Sequence, residues 1–365
     1  MSNASPDDAR HMARALQLAK HGLYTTDPNP RVGCVIVRDG RVVGESWHRR
    51  AGEPHAEVHA LTAAGKQAHG ATAYVTLEPC CHHGRTPPCS EALVKAGIAR
   101  VVAAMPDPNP RVASQGIAEL EKAGIRVDIG LLQAESERLN PGFISRMTRG
   151  RPYLRVKLAA SLDGRTALAN GQSKWITGEA ARADVQRLRA RSSAILTGIG
   201  TVLADDPALT VRDHDIGRQP LRVVVDPQLR MPPAARMLTL PGETLIVTSD
   251  EHATAAATLR AAGAEVLCQP LVSGRLDLKL LLELFAAREV NEVLVEAGAT
   301  LCGELLQAGL VDELVLYLAP HLLGSGARGL FNIPVLADMA GRVALEIQDV
   351  RAVGCDWRIS ARVTS

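Results

Sequence analysis

Three residues of the N-terminal half have the types and spacing of a catalytic zinc site. His55 is followed by Cys80 and Cys89, which together offer one imidazole and two thiolates. Three protein ligands leave a fourth position for water, whereas a structural zinc ion normally takes four protein ligands. Zinc lowers the pKa of a bound water toward about 7, so a nearby base can take its proton. The pattern therefore predicts metal-assisted hydrolysis.

A carboxylate stands two residues after the predicted imidazole ligand. Because residues two apart on a helix lie on different faces, Glu57 is not expected to bind the same ion as His55. We expect Glu57 to carry a proton from the water to a leaving amine. Pro88 precedes Cys89 at a predicted helix start, where unpaired N–H groups and the helix dipole favour a thiolate.

A structural zinc knuckle is the alternative interpretation of these residues. It would draw its fourth ligand from Cys81, His82 or His83, which lie between the two predicted cysteine ligands. In that case the protein would be a zinc-stabilised nucleotide-binding regulator whose second half senses a ligand. Glu57 argues against this alternative, because a structural site needs no proton carrier.

The H-x-E and P-C elements of this site resemble the zinc cytidine-deaminase superfamily. Eight residues separate the two cysteines where that superfamily usually has two. The longer loop, residues 81–88, is similar to the bacterial riboflavin-pathway deaminases rather than to nucleoside or tRNA deaminases, which are the competing family assignment. Cys81 stands where a serine is expected, and we interpret it as a substitution. The resemblance implies substrate contacts at Asn29, His48, Arg85 and Asn109.

The hexapeptide Asp-Pro-Asn-Pro-Arg-Val occurs twice, at residues 27–32 and 107–112. One interpretation is a rigid turn that the chain uses twice by chance. The functional interpretation places both turns at the mouth of one site.

The elements that must position these residues follow an α/β alternation. Ser5-Pro6-Asp7-Asp8 is typical of a helix start, and the helix is expected to run to Gly22. Asp39-Gly40 predicts a hairpin turn between two strands. The strands of this half are expected at 32–37, 42–47, 72–77, 99–105 and 125–129, and further helices from about 55, after 89 and near 116–123.

A second alternation follows a stretch of helix breakers and basic residues, 140–152, which predicts domains 1–146 and 150–365. Its strands are expected at 153–159, 194–197, 221–226, 244–248, 265–268, 292–296 and 313–318, with an antiparallel pair within 343–363. No G-x-G-x-x-G follows a strand, so the Rossmann fingerprint is absent. These patterns alone predict an α/β domain without an assigned function.

Segments 157–164, 173–177, 198–210 and 295–298 resemble the riboflavin-pathway reductases, whose fold is like that of dihydrofolate reductase. The resemblance implies NADPH contacts at Ala159, Trp175, Thr201, Asp205, Gly298, Ala299, Thr300, Leu301, Cys302, Gly303 and Glu304. It implies substrate contacts at Ser173, Arg189, Leu209, Arg212 and Glu296.

Lys157, Asp205 and Glu296 are the candidates for polar catalysis around the ribose, because opening the sugar needs proton transfers before a hydride arrives. The alternatives are that Arg189 and Arg191 form a solvated helix face and that Glu296 is an ordinary strand-end residue. Pro227 stands where a small hydroxyl residue is expected near the cofactor, and it is left out of the predicted site.

Composition limits the class of protein. At 365 residues the chain is long enough for two domains, and a net charge of +2 with ten aromatic residues argues against nucleic acid as a partner. No apolar stretch is long enough for a membrane span, and the N-terminus lacks the pattern of a signal peptide. We therefore expect a cytoplasmic protein whose seven cysteines are reduced.

The combined expectation is an α/β protein with an N-terminal cytidine-deaminase-like α/β/α domain and a C-terminal dihydrofolate-reductase-like domain. The resemblance implies one Zn²⁺ in the first domain and NADPH in the second. It further implies two successive reactions on a phosphorylated pyrimidine, namely hydrolysis of the 2-amino group of 2,5-diamino-6-ribosylamino-4(3H)-pyrimidinone 5′-phosphate and reduction of the ribosyl side chain to ribityl. A homo-oligomer, dimer or tetramer, is expected from the family alone.

Overall fold

The computed structural model describes residues 5–82, 87–110, 113–252 and 254–364. The chain divides into two compact units, residues 1–151 and 152–365. Among the helices formed by the described residues, none combines the length and apolar character needed to cross a membrane.

The first unit is built around a five-stranded sheet of order β2-β1-β3-β4-β5. Strand β1 is antiparallel to both of its neighbours, whereas β3, β4 and β5 are parallel. Its strands are β1 (Gly33–Arg38), β2 (Arg41–Trp47), β3 (Thr72–Val75), β4 (Arg100–Ala103) and β5 (Arg126–Ile129). Its helices are α1 (Pro6–Ala19), α2 (Ala56–Ala64), α3 (Cys89–Lys95), α4 (Gln115–Lys122), α5 (Gln133–Leu139) and α6 (Pro141–Arg149).

Alternate residues of each central strand point to opposite faces of the sheet and belong to different apolar clusters. Helices cover both faces, so this unit has three layers. Ile36, Val75 and Val101 belong to one apolar cluster, which also includes side chains of α2, α3 and α4. Their neighbours Val35, Tyr74 and Val102 belong to a second cluster, formed with α1. The α/β/α arrangement expected for this half is therefore confirmed.

Local sequence signals explain where these elements begin and turn. Ser5 caps the start of α1, as predicted, and the structure adds a reciprocal capping box between Ser5 and Asp8. Asp39 and Gly40 both adopt positive φ between β1 and β2, as the hairpin signal required. The stretch of helix breakers predicted as a boundary contains a helix, α6, which begins at Pro141. At this first position the fixed φ and the missing N–H of proline do not destabilise the helix.

The second unit contains a nine-stranded sheet of order β11-β10-β9-β8-β14-β6-β15-β18-β17. It is parallel from β11 to β15 and ends in the antiparallel strands β18 and β17. Its strands are β6 (Tyr153–Ser161), β7 (Arg165–Ala167), β8 (Ala194–Gly198), β9 (Leu221–Val225), β10 (Thr244–Ser249), β11 (Glu265–Gln269), β12 (Leu271–Val272), β13 (Arg275–Leu276), β14 (Glu292–Val295), β15 (Glu313–Ala319), β16 (Arg328–Gly329), β17 (Ala344–Val353) and β18 (Asp356–Thr364). Its helices are α7 (Glu179–Ala190), α8 (Ile199–Asp205), α9 (Ala257–Ala261), α10 (Leu278–Ala287) and α11 (Ala299–Gln307).

All seven predicted strands and the antiparallel tail of this unit are present. Short 3-10 helices complete the two units, at Lys20–Gly22, Gly65–Ala68, Arg236–Thr239, Asp250–His252 and Met339–Gly341. The short strands β7, β12, β13 and β16 were not predicted, because two or three residues are too few for a periodic pattern to be visible.

A buried ion cluster joins the central strands of the second unit. Arg155 on β6 lies 3.0 Å from Glu292 on β14 and 2.9 Å from Glu313 on β15. Arg155 and Glu292 are almost completely buried. Although burial by itself raises the pKa of Glu313, the charge of Arg155 lowers it below its ordinary value. The stability that Glu313 contributes is therefore present at neutral pH and is lost as the pH falls through the folded pKa.

We expect Arg155→Met to destabilise this unit by about 3–5 kcal/mol, because it removes the guanidinium that binds both buried carboxylates and leaves Arg191 as the remaining ion-pair partner of Glu292. Denaturant unfolding followed by circular dichroism would measure the change. The matched control is Arg288→Met, which removes the exposed pair of Arg288 with Glu265 and should cost about 1 kcal/mol or less. Equal effects of the two substitutions would contradict the prediction.

Candidate active sites

The three predicted zinc ligands converge from three separate elements. His55 is the N-cap of α2, Cys80 lies in the loop after β3, and Cys89 is the first residue of α3. The His55 Nδ1 atom is 3.6 Å from the Cys80 Sγ atom and 3.3 Å from the Cys89 Sγ atom, and all three ligand atoms lie within 4.8 Å of one another. Ligands around a tetrahedral zinc ion are separated by about 3.5 Å, given Zn–S and Zn–N bonds of about 2.3 and 2.0 Å. The donor set and its spacing fit zinc.

Hydrogen bonding within this cluster favours a thiolate. Contacts with Cys89 and His55 lower the pKa of Cys80 well below its ordinary value, against the effect of burial. Cys81 has a different environment, since its Sγ atom lies 3.9 Å from Gln115 Oε1 and its pKa is raised by burial. Of the alternative ligands, His83 lies outside the described residues.

We expect Cys80→Ser to lower the zinc content of the purified protein from about one per chain to near zero, because a hydroxyl is a poor zinc ligand. Cys81→Ser should leave the zinc content unchanged, because Cys81 is not part of the cluster. Metal analysis after exhaustive dialysis tests both variants. Loss of zinc from Cys81→Ser would restore the structural-knuckle interpretation.

Glu57 lies in the first turn of α2, and only 3% of it is exposed. Its Oε2 atom is buried and has no hydrogen-bond partner among the described residues. Burial raises the pKa of Glu57 to about 7, against the opposing charge of His55. An unpartnered carboxyl oxygen with a pKa near neutrality is suited to accept and return a proton.

His48 and Asn29 lie beside the metal cluster. The His48 ring centroid lies 5.2 Å from that of His55, and His48 Nε2 is 3.1 Å from Asn29 Nδ2. Burial lowers the pKa of His48 to about 4, so the ring is neutral at pH 7. Its Nδ1 atom lies 3.2 Å from the Pro54 carbonyl and must donate to it, which leaves Nε2 to accept from Asn29. The structure thus brings Asn29 and His48 to the metal cluster.

Asn109 lies in the second copy of the repeated hexapeptide. Its backbone N–H donates to Asp107 Oδ1, and Asp107 in turn is linked to Glu78, two residues before Cys80. Asp107 is buried, and burial raises its pKa to about 6. Neither Asp107 nor Glu78 was predicted as a site residue, although Asp107 begins the repeated hexapeptide. Arg85 lies outside the described residues.

In the second unit, the predicted residues Lys157, Arg189 and Glu296 are brought together. Arg189 holds Glu296 through two contacts, Nε to Oε1 at 2.6 Å and Nη2 to Oε2 at 3.0 Å, and its Nη1 atom donates to the Thr210 carbonyl. Burial by itself would raise the pKa of Glu296, but the Arg189 charge lowers it, so the carboxylate is ionised at pH 7. Burial lowers the pKa of Lys157, while the charge of Glu296 opposes this shift.

This pairing changes the role available to Arg189. Its guanidinium faces a carboxylate and a carbonyl, so it is not displayed as an open phosphate fork. Arg212 is exposed, whereas the Leu209 side chain is buried in the core. Leu209 can therefore reach a ligand only through its backbone. The alternative that Arg189 belongs to a solvated helix face does not apply, because its guanidinium binds Glu296.

The loop that carries Ser173 and Trp175 presents an exposed indole. Trp175 is 71% exposed, and the Arg182 guanidinium lies 4.7 Å from its ring centroid. Arg182 also donates to the Thr177 carbonyl, so it supports both the indole and its loop. Asp205, at the end of α8, lies in a partly exposed ion pair with Lys174, 3.0 Å away.

The first turn of α11 follows the glycine predicted to contact NADPH. Gly298 is the N-cap. In the part of the chain that the structure describes, no side chain caps the helix and no atom lies within 4 Å of a Cβ atom placed on Gly298. Free backbone N–H groups beside an open glycine fit a phosphate group of NADPH. The side chains of Leu301 and Cys302 belong to the hydrophobic core instead. The Glu304 carboxylate is paired with Arg275, and Ala159 and Thr201 are partly buried.

Two family models match the two units. The model for the cytidine and deoxycytidylate deaminase zinc-binding region matches residues 5–105, and that for the RibD C-terminal domain matches residues 152–359. The riboflavin biosynthesis protein RibD of Escherichia coli strain K12 is 54% identical over 362 residues, which cover 96% of this chain and 97% of that protein. The RibD of Haemophilus influenzae is 45% identical, and the match covers 99% and 98% of the two chains.

Solved structures agree with this assignment over nearly the full length. Acinetobacter baumannii RibD, form 1, superposes with a TM-score of 0.92 at 48% identity and covers 98% of this chain and 99% of its own. A deaminase/reductase from Thermotoga maritima gives a TM-score of 0.87 at 33% identity, with the same coverage. The chain therefore belongs to the RibD family, the bifunctional enzymes of riboflavin biosynthesis that join a zinc-dependent deaminase to an NADPH-dependent reductase.

Proposed function

We propose that Glu57 is the proton carrier of the deamination and that His55, Cys80 and Cys89 hold the zinc ion. The observation that carries this proposal is the buried Glu57 Oε2 atom, which has no hydrogen-bond partner among the described residues, on a side chain that interacts with all three correctly spaced zinc donors. Zinc supplies Lewis-acid activation of water when it is bound. Glu57 takes the proton of that water as it attacks the pyrimidine carbon bearing the amino group, and returns it to the departing ammonia.

Asn29, His48, Asn109 and Arg85 are proposed to hold the diaminopyrimidine. The neutral His48 fixes the Asn29 amide by hydrogen bonding, so the orientation of Asn29 is set before the substrate arrives. Such preorganisation lowers the entropic cost of placing the reacting carbon next to the water. Both hexapeptide turns are thereby assigned to the same site.

Lys157 is the proposed proton donor of the reductase. Opening the ribosylamine to an imine breaks the bond between the anomeric carbon and the ring oxygen, and that oxygen must take up a proton. Burial lowers the pKa of Lys157, and the ionised Glu296 opposes this shift and so favours the ammonium form, while Arg189 keeps Glu296 ionised and oriented. NADPH supplies the hydride that completes the reduction at the anomeric carbon.

NADPH is proposed to lie along Ala159, Trp175, Thr201, Asp205 and the first turn of α11. Trp175 offers one open ring face while Arg182 supports it, and the uncapped N-terminus of α11 offers N–H groups to a phosphate. Within residues 298–304, we assign the contact to the backbone for Leu301 and Cys302, whose side chains are in the core. Ser173, Leu209, Arg212 and Glu296 are proposed to contact the ribosyl phosphate, together with the Arg189 that orients Glu296.

The direct test follows both half-reactions in one protein. Purified enzyme with about one zinc per chain should release ammonia from the diaminopyrimidine ribosyl phosphate and then oxidise NADPH. Supplying the deaminated intermediate should give NADPH oxidation without ammonia. Ammonia release without subsequent NADPH oxidation would leave the reductase assignments without support.

We propose a homodimer formed by the reductase units. Strands β15, β18 and β17 share an apolar face on which Leu316, Ile359 and Val350 lie in cross-strand register. Ile347 lies on the same face and pairs with Ala361 of β18. Val350 and Ile347 are 51% and 62% exposed, and this face continues the main apolar core of the unit. An exposed, uncharged sheet face of this kind is suited to packing against another apolar sheet face. The same face of a second copy of the chain is such a surface.

Ile347→Glu is expected to convert the dimer to a monomer in sedimentation velocity, because it buries a charge in the proposed interface. Val272→Glu is the matched control, since Val272 is 58% exposed in the same unit but lies on the separate β12–β13 hairpin. A parent that sediments as a monomer, or a control that dissociates equally, would contradict the proposed interface.

We also propose a cytoplasmic location. All seven cysteines lie in the described part of the chain as free thiols, and two of them are the proposed metal ligands. Free thiols in this number are typical of a reducing compartment.

A further inference from the structure

Glu78 is a buried carboxylate that binds four backbone N–H groups of one segment. Its Oε2 atom accepts from the N–H groups of Asp107 and Ser114, at 2.9 and 3.1 Å. Its Oε1 atom accepts from those of Gly116 and Ile117, at 3.1 and 3.3 Å. Only 3% of Glu78 is exposed, so solvent does not weaken these contacts.

The same residue is covalently part of the metal turn. Glu78 is followed directly by Pro79 and the proposed zinc ligand Cys80, and the backbone approach between the two segments is close. A Cβ atom on Gly116 would lie 2.0 Å from the Pro79 carbonyl oxygen, so a side chain there is excluded. Glu78 therefore joins the metal turn to the start of α4 with little room for relative movement.

The backbone groups that Glu78 binds include that of Asp107, the first residue of the second hexapeptide, of which residues 107–110 are described. Asp107 binds the Glu78 carboxylate through its N–H group and accepts from the Asn109 N–H group through Oδ1, at 2.8 Å. The chain of contacts thus runs from Glu78 through Asp107 to Asn109. The first hexapeptide turn has a comparable support, because the buried Asn140 side chain binds both the N–H and the carbonyl of Arg31.

We propose that Glu78 is a positioning residue for the deamination, which sets Asn109 at its working distance from the metal turn. The proposal rests on the substrate contact proposed above for Asn109. Burying a carboxylate lowers the folding stability by several kcal/mol unless it is fully hydrogen-bonded. An apolar side chain would fill the space between these two segments without that loss. The four acceptor contacts of Glu78 instead specify one arrangement of the turn.

The test compares Glu78→Gln, Asn109→Ala and the double variant in the full-length zinc enzyme. Glutamine keeps the size of glutamate but offers one acceptor oxygen and an NH₂ group that cannot accept from backbone N–H groups. We expect Glu78→Gln to raise the KM for the diaminopyrimidine by about tenfold, with a smaller change in kcat. Zinc content should stay at the parent value, and NADPH oxidation with supplied deaminated intermediate should be unchanged.

The double variant distinguishes positioning from a general structural role. If Glu78 acts through Asn109, the double variant should have a KM within about twofold of that of the more affected single variant. Glu121→Gln, on the exposed side of α4, is the matched control and should resemble the parent. A Glu78→Gln enzyme with an unchanged KM, with lost zinc, or with an effect that multiplies that of Asn109→Ala overturns the inference. If Asn109→Ala leaves KM unchanged, the proposed substrate contact itself fails, and the inference with it.

Discussion

Glu57→Gln is expected to lower ammonia release by about 10³-fold while zinc stays bound. Glutamine has nearly the same shape but cannot take the proton of the attacking water or return it to the leaving amine. The surroundings of Glu57 suit this role, because Glu57 is buried, one of its oxygens has no hydrogen-bond partner within the described residues, and its pKa is raised to about 7. The neutral variant suits this buried position, so no loss of folding is expected.

The measurement is ammonia release under saturating substrate, together with metal analysis of the same preparation. The reductase half supplies an internal control, since NADPH oxidation with the deaminated intermediate should match that of the parent. A variant that retains activity within about tenfold would eliminate Glu57 as the proton carrier. Loss of zinc together with activity would instead indicate that Glu57 supports the metal site.

Lys157→Met is expected to lower NADPH oxidation by about 10²–10³-fold, because the variant cannot protonate the ring oxygen as the ribosylamine opens. Methionine preserves much of the side-chain volume, so the Arg189–Glu296 pair should remain in place. Without Lys157, Glu296 retains one of its two cationic neighbours, and its carboxylate stays ionised.

Single-turnover NADPH oxidation with supplied intermediate measures this effect separately from deamination. Ammonia release by Lys157→Met should equal that of the parent, which verifies that the chain is folded. Lys279→Met, on the exposed surface of α10, is the matched control for removal of a lysine. If the KM for NADPH rises while kcat is retained, Lys157 is a cofactor contact and not the proton donor.

Most of the secondary structure was predictable from local signals. The Ser5 cap, the Asp39-Gly40 turn and the seven apolar strand segments of the second unit depend on interactions within a few residues, and such signals survive folding. Helices α5 and α6 were missed because their apolar positions are few and lie beside breakers. A proline inside a helix terminates it, whereas a proline at the first helical position starts one. Pro141 is of the second kind, and the tertiary fold determines this.

The two candidate sites differ in how far sequence reasoning could go. The zinc donors were identifiable because thiolates, an imidazole and a carboxylate at these spacings have few other uses. In the reductase unit, Arg189 was expected to contact the substrate, and the structure adds that it binds Glu296. An arginine is equally suited to phosphate and carboxylate, so its partner is determined by which strand lies opposite α7.

By itself, the sequence determined the class of chemistry of this protein, a zinc-dependent deaminase joined to a reductase of the RibD type, and it predicted the zinc donors and the carboxylate beside them. Only the tertiary structure decided which polar groups act together. Glu78 and Asp107 lie 29 residues apart. Lys157 lies on β6, and Glu296 directly follows the neighbouring parallel strand β14. Both pairs come together only after long loops have closed. Local propensity carries no information on such pairs, because their proximity depends on the strand order β8-β14-β6 and on the packing of whole elements.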